Sequence, residues 1–304
     1  MRILLTGGTG MLGVDLRRAM QAEGHVVDCP NRNDLDLSSG PSIDAFFLNV
    51  SADWIVNCAA YTKVDEAESE QYEANYLNAV APFTLARHAR RIGARILHLS
   101  TDFVFDGAKQ RPYTESDEPN PIGNYGRSKL QGERLLQKEN PDGVVVRTAW
   151  LFGAFGKCFP RTILSAFESG RQLRVVDDQV GSPTYTRDIS EAITNLIGNN
   201  APPGVYHIVN AGQASWRELA VETIFAHLLR SSHSSESRQE ESELRARAEA
   251  AVLPIRTEDW PTKAQRPNYS VLCTDKYCSL GFERLPDWRD AVARFVSELQ
   301  PLPA

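Results

Sequence analysis

The sequence has 304 residues, a formal net charge of −6 and a charged fraction of 24%. This length suffices for one large globular domain or two modest ones, and an apolar fraction of 42% is ordinary for such proteins. The acidic balance, without a long basic run, argues against nucleic acid as a partner. No apolar stretch approaches the roughly 20 residues that a membrane helix needs. The five cysteines are scattered without metal-ligand spacing. We therefore expect a cytoplasmic protein with reduced thiols and no membrane contact.

The first half of the chain alternates short apolar runs with amphipathic stretches. The apolar runs predict five buried strands, at residues 2–6, 26–29, 54–58, 95–100 and 144–148. The amphipathic stretches have i, i+3, i+4 spacing and predict helices at residues 11–22, 42–50, 65–91 and 125–139. Alternating strands and helices imply right-handed crossovers, and hence a doubly wound parallel sheet covered on both faces.

The second half has a looser pattern. It predicts helices at residues 159–168, 188–197, 216–229 and 288–299, with short strands at 173–176 and 205–209. We expect residues 151–304 to form mostly a smaller α/β lobe, with some segments returning to the first sheet. Residues 230–251 are rich in Ser, Glu and Arg, which predicts a solvated loop or exposed helix inserted in this lobe.

A glycine-rich turn, GGTGMLG, follows the first predicted strand and opens the first predicted helix. Gly7 allows a tight turn, Gly10 lets the backbone approach a pyrophosphate, and Gly13 lets helix and strand pack closely. Met11 and Leu12 lie at the helix N-terminus, where free N–H groups face an anion. Placed at the start of a βαβ unit, this turn predicts a Rossmann-type dinucleotide-binding domain over residues 1–150.

The end of the second strand bears on the cofactor. Asp28 is suited to bind the ribose 2′-OH of NAD, whereas Arg32, four residues on, is suited to a 2′-phosphate. The residues alone leave the two readings equally open.

Three further residues suggest hydride-transfer chemistry. Thr101 and its neighbour Ser100 lie at the carboxyl end of a predicted parallel strand, where open α/β sheets bind ligands. Tyr125 and Lys129 are four residues apart at the start of a predicted helix, so both lie on one face. A dinucleotide turn, a strand-end hydroxyl and a Tyr-x-x-x-Lys pair, in that order, indicate an oxidoreductase.

The chain resembles the extended short-chain dehydrogenase/reductase superfamily and, within it, the dTDP-4-dehydrorhamnose reductases. The resemblance covers nearly the whole chain. Beyond the glycine turn, it rests on motifs that include DDQVGSPT at 177–184 and RPN at 266–268, which are more specific than the glycines. The remaining motifs are WIVNCAAYT at 54–62, VDEAE at 64–68, STDFVFDG at 100–107, YGRSK at 125–129 and RTAW at 147–150.

The resemblance implies an NADPH-dependent reduction, with NADH as an alternative, of the C4 ketone of dTDP-4-dehydro-L-rhamnose to dTDP-L-rhamnose. Thr101 would polarise the ketone, Tyr125 would donate the proton, and Lys129 would hold the nicotinamide ribose and lower the pKa of the tyrosine. Further cofactor contacts are implied for Arg32, Asp36, Leu37, Ala59, Ala60 and Thr62. Substrate contacts are implied for Thr101, Phe103, Val104, Trp150, Gln179, Pro183 and Arg266.

The chain departs from the family pattern in places. Phe103 stands where the family often has a tyrosine, so a hydrogen bond from that ring is lost. Some relatives dimerise through magnesium held by glutamates. Here Asp15 keeps an acid at one matching position, but Arg187 replaces another, so we expect no metal. The resemblance remains compatible with a homodimer.

Other functions remain open on the same fold. A sugar-nucleotide 4,6-dehydratase resembles a case that needs an Asp-Glu pair after the threonine, whereas Thr101 is followed by Asp102 and Phe103. A 4-epimerase fits the second-half motifs poorly. The non-enzymatic alternative is a dinucleotide-binding regulatory subunit, similar to the β subunit of methionine adenosyltransferase.

Overall fold

The structure is a computed structural model, and it describes residues 1–232 and 238–299. The strands of the first half are β1 Arg2–Thr6, β2 Val26–Asp28, β3 Trp54–Asn57, β4 Arg95–Thr101 and β5 Val144–Thr148. The helices of the first half are α1 Met11–Ala22, α2 Gly40–Phe46, α3 Gln71–Asn75, α4 Ala81–Ile92 and α5 Asn124–Glu139.

The second half contains shorter strands and six helices within the described ranges. The strands are β6 Leu151–Phe152, β7 Leu173–Val176, β8 Val180–Gly181, β9 Thr184–Tyr185, β10 Gly204–His207, β11 Ala214–Ser215 and β12 Val252–Ile255. The helices are α6 Phe159–Glu168, α7 Thr186–Gly198, α8 Trp216–Ser231, α9 Arg238–Ala251, α10 Asp275–Cys278 and α11 Trp288–Glu298. In the part of the chain that is described, no helix combines the length and apolar character needed to cross a bilayer.

A six-stranded sheet organises the molecule, in the order β10-β5-β4-β3-β1-β2. All five pairings are parallel. The chain runs outward from β1 in both directions, so a crevice opens between the carboxyl ends of β1 and β3, where such sheets bind ligands. The predicted Rossmann-type doubly wound fold is confirmed.

Two elements of the second half return to this sheet. Strand β10 pairs with β5 at the sheet edge, and α7 packs against α1. Leu16 and Met20 of α1 share one buried cluster with Ile189 and Ile193 of α7. The smaller lobe has its own apolar clusters, which are built chiefly from α6, α8, α9 and α11. One buried cluster thus contains residues from both sides of residue 150, whereas the clusters of the smaller lobe consist mostly of residues after it.

The helix predicted over residues 65–91 is broken in the structure. A 3₁₀ turn, Glu66–Glu68, precedes α3, and a π-helical turn, Tyr76–Val80, joins α3 to α4. Pro82 near the start of α4 has no N–H to donate to the preceding turn, which explains why regular α-helical bonding is interrupted there. The Asn78 carbonyl lies against Gly132 of α5, where a Cβ would come within 1.9 Å of that oxygen.

The polar segment predicted at residues 230–251 is helical over Arg238–Ala251, and residues 233–237 lie outside the described part. Most of α9 is exposed, as expected. One side nevertheless packs on α8. Ala248 is fully buried, and the Arg245 guanidinium bonds Glu222 at 3.0 Å and lies 3.8 Å above the Phe225 ring. The helix therefore covers part of the core of the second lobe.

We expect Gly13→Ala to lower the free energy of unfolding by about 1–3 kcal/mol, because the added methyl group meets backbone. A Cβ at Gly13 would lie 2.1 Å from the Gly7 carbonyl oxygen and 2.7 Å from the Gly8 Cα. Urea unfolding of both variants measures the effect, with Gly198→Ala in α7 as the control. A Cβ at Gly198 meets nothing within 4 Å. Equal stability of the two variants would contradict this account of the turn.

Candidate active site

The glycine turn lies at the crevice between β1 and β3. Gly7 has φ of 71°, and a Cβ there would lie 2.7 Å from the Ala59 nitrogen, so only glycine fits without strain. Gly10 precedes α1 and supplies no side-chain cap to its N-terminal N–H groups. These groups, which include those of Met11 and Leu12, give the turn the form of a phosphate cradle. The turn thus fits the pyrophosphate of a dinucleotide.

The loop after β2 carries the residues predicted near the adenine ribose. The Arg32 side chain is 80% exposed, and its Nε lies 3.6 Å from Asp36 Oδ1. Hydrogen bonds from Ser38 lower the pKa of Asp36, which stays ionised. Leu37 is buried in the core beneath the loop, so its side chain does not face a ligand. Arg32 therefore offers an exposed guanidinium for a 2′-phosphate.

The segment after β3 forms the opposite wall of the crevice. Ala59 and Ala60 are half-buried and Thr62 is exposed. The Ala59 N–H donates to Asn57 Oδ1 at 3.2 Å, which fixes the chain where it leaves the strand. These three predicted cofactor residues thus lie across the crevice from the glycine turn.

Thr101, Tyr125 and Lys129 meet beside the crevice, at the end of β4 and the first two turns of α5. The Thr101 hydroxyl accepts from the Phe103 N–H at 3.2 Å and donates to Asp102 Oδ1 at 3.1 Å, and it lies close enough to the Tyr125 phenol to lower the pKa of that group. Lys129 is buried, and its Nζ donates to the Leu99 carbonyl at 2.5 Å. The predicted trio is thus brought together.

The pKa of Tyr125 differs from what the resemblance implied. Burial raises the pKa of Tyr125 to about 12, although the nearby Thr101 hydroxyl acts in the opposite direction. Burial also lowers the pKa of Lys129 to about 8. The implied lowering of the tyrosine pKa by Lys129 is therefore not found in this structure, because desolvation of the phenol outweighs its favourable contacts. The phenol remains protonated at neutral pH, as a proton donor must.

Asp102 and Ser270 add a buried connection that the sequence did not suggest. Ser270 Oγ donates to Asp102 Oδ2 at 2.6 Å, while Thr101 donates to the other oxygen. Burial raises the pKa of Asp102 to about 6. Because Asp102 is 2% exposed and bonded on both oxygens, it orients the Thr101 hydroxyl and does not face the crevice.

A buried ion pair fixes α5 against the sheet. Glu133, one turn after Lys129, accepts from Arg147 Nη2 at 2.6 Å and from the Ser100 hydroxyl. Arg147 and Ser100 are register partners on β5 and β4. Removing one partner of such a pair typically costs 3–5 kcal/mol, since a charge is left buried. The pair therefore holds the helix that carries Tyr125 and Lys129.

Asn78 was also missed from the sequence. Its side chain leaves the π-helical turn and bonds both backbone groups of Tyr61, at 2.9 and 3.0 Å. Its Nδ2 also lies 3.0 Å from Ser128 Oγ, next to Lys129 in α5. Asn78 thus ties the segment after β3 to α5. Pro82, which lies inside the helix predicted over residues 65–91, is the sequence signal that could have indicated this turn.

The predicted substrate residues do not all face the same space. The Phe103 ring meets the Tyr125 ring edge-on, with centroids 5.8 Å apart. The structure does not support a substrate role for the Val104 side chain, because the 3₁₀ turn Asp102–Val104 buries it completely in a core cluster with Phe105 and Tyr113.

Trp150 lies in a strained conformation. Its φ is 45°, and its ring stacks on Trp216 with centroids 3.6 Å apart. A Cβ at Gly181 would lie 2.5 Å from the Trp150 ring, so the absence of a side chain there makes room for the stack. Strained non-glycine residues cluster at functional sites, which agrees with the role predicted for Trp150.

Gln179 bonds residues of its own lobe, whereas Arg266 joins that lobe to the first half. Gln179 Oε1 accepts from Trp216 Nε1 at 3.2 Å, and Pro183 is buried in the strand region that follows. Arg266 forms a bidentate ion pair with Asp65, with N–O distances of 2.7 and 3.2 Å. Its guanidinium thus joins the second lobe to the segment that follows β3.

Asp15 of α1 and Arg187 of α7, which match metal-binding positions of some relatives, lie on adjoining helices. Asp15 accepts from the Thr186 hydroxyl at 2.5 Å, and Arg187 forms an ion pair with Glu298. The Arg187 guanidinium therefore already neutralises the Glu298 carboxylate. Among residues 1–232 and 238–299, no three His, Cys, Asp or Glu side chains are grouped so as to hold a metal ion.

Comparison with known proteins shows the family of the chain. The family described as RmlD substrate binding domain matches residues 1–301. A dTDP-4-dehydrorhamnose reductase from Mycolicibacterium smegmatis is 37% identical over 294 residues, which span 96% of this chain and 84% of that protein.

Two solved structures are similar over almost their whole length. The dTDP-4-dehydrorhamnose reductase of Clostridium acetobutylicum has a TM-score of 0.88 at 33% identity, covering 98% of this chain and 99% of that one. That of Bacillus anthracis, solved in complex with NADP, has a TM-score of 0.86 at 31% identity, with coverage of 98% and 99%. The chain therefore belongs to the family of the RmlD substrate binding domain, whose curated members include dTDP-4-dehydrorhamnose reductases.

Proposed function

We propose that this protein uses NADPH to reduce the C4 ketone of dTDP-4-dehydro-L-rhamnose to dTDP-L-rhamnose. The observation that carries the proposal is the convergence of Thr101, Tyr125 and Lys129 beside a phosphate cradle, in a chain of this family. The curated reductase relatives act in dTDP-sugar chemistry by name, and one solved relative contains NADP.

The reduction adds a hydride to the ketone carbon and a proton to its oxygen. The nicotinamide supplies the hydride when it is bound. Tyr125 donates the phenolic proton to the oxygen, which becomes the C4 hydroxyl, and the phenolate then recovers a proton from water. Thr101 donates a hydrogen bond to the same oxygen once its hydroxyl turns away from Asp102. Lys129 holds the ribose hydroxyls and places a positive charge near the reacting oxygen.

The structure disfavours elimination as an alternative. A dehydratase would need acidic groups beside the sugar, but Asp102 is buried and bonded to Thr101 and Ser270. Phe103 supplies no carboxylate in its place. The regulatory-subunit alternative requires no catalytic trio, so it leaves the convergence of Tyr125, Lys129 and Thr101 without a purpose.

Substrate identity is tested by following nicotinamide absorbance with purified protein and a panel of nucleotide 4-keto-6-deoxy sugars. The panel contains dTDP-4-dehydro-L-rhamnose, its UDP counterpart and dTDP-4-dehydro-6-deoxy-D-glucose. We expect the first to give the highest kcat/KM. A higher kcat/KM for another member would reassign the substrate, whereas no NADPH oxidation with any of them would favour the regulatory role.

We expect Arg32→Ala to lower the ratio of kcat/KM for NADPH to that for NADH by roughly tenfold or more, the share of one charged hydrogen bond. The exposed Arg32 guanidinium is the cation that the loop after β2 offers to a 2′-phosphate. Arg171→Ala, which removes an exposed arginine from the other lobe, serves as the control. An unchanged ratio in Arg32→Ala would show that another residue selects the cofactor.

We also propose that the protein works in the cytoplasm. All five cysteines are free thiols in the structure, as expected in a reducing compartment. The homodimer allowed by the resemblance stays a proposal, which the molar mass measured by light scattering tests.

A further inference from the structure

A row of buried polar side chains crosses the sheet beneath the crevice. Thr6, Asn57 and His98 are register partners on β1, β3 and β4, and each is at most 2% exposed. Thr6 Oγ1 donates to Asn57 Oδ1 at 2.6 Å, and Asn57 Nδ2 lies 3.0 Å from His98 Nδ1. His98 Nε2 then lies 3.4 Å from Lys129 Nζ. The row thus runs from the foot of the glycine turn to the lysine of the active site.

The orientation of the Asn57 amide is determined by a backbone group. The Ala59 N–H can only donate, and it donates to the Asn57 side chain at 3.2 Å. The atom that faces Ala59 must therefore be the Asn57 oxygen. The nitrogen, Nδ2, consequently faces His98, and as an amide nitrogen it can only donate. His98 Nδ1 must accept this hydrogen bond and carries no proton.

The tautomer of His98 follows from that bond. Burial, with the positive charge of Lys129 beside it, holds the pKa of His98 well below its ordinary value, so the ring is neutral. A neutral imidazole without a proton on Nδ1 carries it on Nε2. The Nε2–H group therefore points at the amine of Lys129. If Lys129 is an ammonium, two hydrogen-bond donors face each other. If it is a neutral amine, its lone pair accepts the hydrogen bond from His98 Nε2–H.

We propose that His98 is a positioning residue that Asn57 holds in the Nε2–H tautomer. Its N–H faces the Lys129 amine and favours the neutral amine over the ammonium. The importance of this for catalysis rests on the proposed function, in which Lys129 binds the cofactor ribose. The tautomer itself follows from the geometry alone.

Among the described residues near Lys129, the other groups do not favour the neutral amine by pointing a hydrogen-bond donor at it. The Leu99 carbonyl accepts one proton of the amine at 2.5 Å. Burial raises the pKa of the Cys58 thiol to about 12 and that of Tyr125 to about 12, so both are neutral. Glu133, on the same helix, favours the ammonium, but its carboxylate is engaged by Arg147 and Ser100. His98 is thus the neighbour that disfavours the third proton through its orientation.

The tautomer is measured directly by long-range ¹H–¹⁵N correlation NMR of protein labelled with ¹⁵N-imidazole histidine. The His98 signals are assigned by their loss in His98→Gln, among six histidines. At pH 7 we expect a protonated Nε2 and an unprotonated Nδ1. A protonated Nδ1, or an imidazolium, would overturn the proposal. This experiment needs neither cofactor nor substrate, so its failure is distinct from failure of the proposed function.

The consequence for Lys129 is measured by NADPH titrations, followed by fluorescence, from pH 6 to pH 10. We expect affinity to fall above about pH 8, where Lys129 loses its charge. In Asn57→Asp the ring should reverse its tautomer, and the midpoint of this fall should move up by roughly one pH unit. His98→Leu, which removes the opposing N–H, should move the midpoint in the same direction.

Thr6→Val is the matched control, because the Ala59 N–H still orients Asn57 without the threonine hydroxyl. Its tautomer and midpoint should equal those of the wild type. A purely structural role for His98 would lower affinity equally at every pH in His98→Leu and leave the midpoint in place. That result would overturn the proposal even if the variants bind NADPH less well.

Discussion

Tyr125→Phe should reduce kcat by roughly 10²–10⁴-fold, the usual contribution of a general acid, while NADPH affinity stays near that of the wild type. The substitution removes the phenolic proton but keeps the ring and its edge-on contact with Phe103. Because burial raises the pKa of this phenol to about 12, it is protonated throughout the neutral range. Single-turnover reduction and a parallel NADPH titration separate the chemical step from binding.

Tyr72→Phe is the control for the loss of a phenolic hydroxyl, since Tyr72 is 76% exposed on α3. Its kcat should match that of the wild type. Near-wild-type turnover in Tyr125→Phe would remove the proton donor from the mechanism and would strengthen the non-catalytic alternative. A loss of NADPH affinity in the same variant would instead assign Tyr125 to cofactor binding.

Lys129→Met should weaken NADPH binding and also lower kcat, because the ammonium is expected to hold the ribose and to place charge near the reacting oxygen. Methionine keeps most of the length and removes the charge. The combined effect of Lys129→Met and Tyr125→Phe on kcat should be clearly less than additive, since both residues act on the same reacting oxygen. A strictly additive double variant would mean that the two residues act independently.

Lys129 also predicts a change of stability with pH. Burial lowers its pKa to about 8 in the folded protein, below the ordinary value of 10.5. Between these values the unfolded chain binds more protons, so this group makes the free energy of unfolding rise with pH from about 8 to 10.5. Urea unfolding across this interval should show a contribution that Lys129→Met lacks. Identical slopes in the two proteins would show that Lys129 is not desolvated.

The elements that the sequence predicted best are those specified by their own residues. Val144–Thr148, Phe159–Glu168 and Leu173–Val176 have the bounds that were predicted, because continuous apolar runs or a clear helical period define them. The two-residue strands, such as Val180–Gly181, have no such local signal. They pair with chain that lies far away in sequence, and their existence depends on the packed lobe.

The site residues likewise divide into those that a local motif indicates and those that depend on distant parts of the chain. The glycine turn and the Tyr125–Lys129 pair were readable because each belongs to one local motif at the end of a strand or the start of a helix. His98 and Asn57 required the register of β3 and β4, which the sequence does not state. The contact of Asp102 with Ser270 spans 168 residues. Val104 was misplaced because a 3₁₀ turn after β4 directs its side chain inward.

The most direct measurement of the proposed reaction follows the hydride itself. Purified protein is given dTDP-4-dehydro-L-rhamnose with NADPH that carries deuterium at one of the two C4 positions of the nicotinamide, each position in a separate reaction. The product is analysed by NMR and mass spectrometry. We expect one of the two cofactors to deliver a single deuterium to C4 of dTDP-L-rhamnose, and the other to deliver none. Product without deuterium at C4 in either reaction, or no product at all, would contradict the proposed hydride transfer.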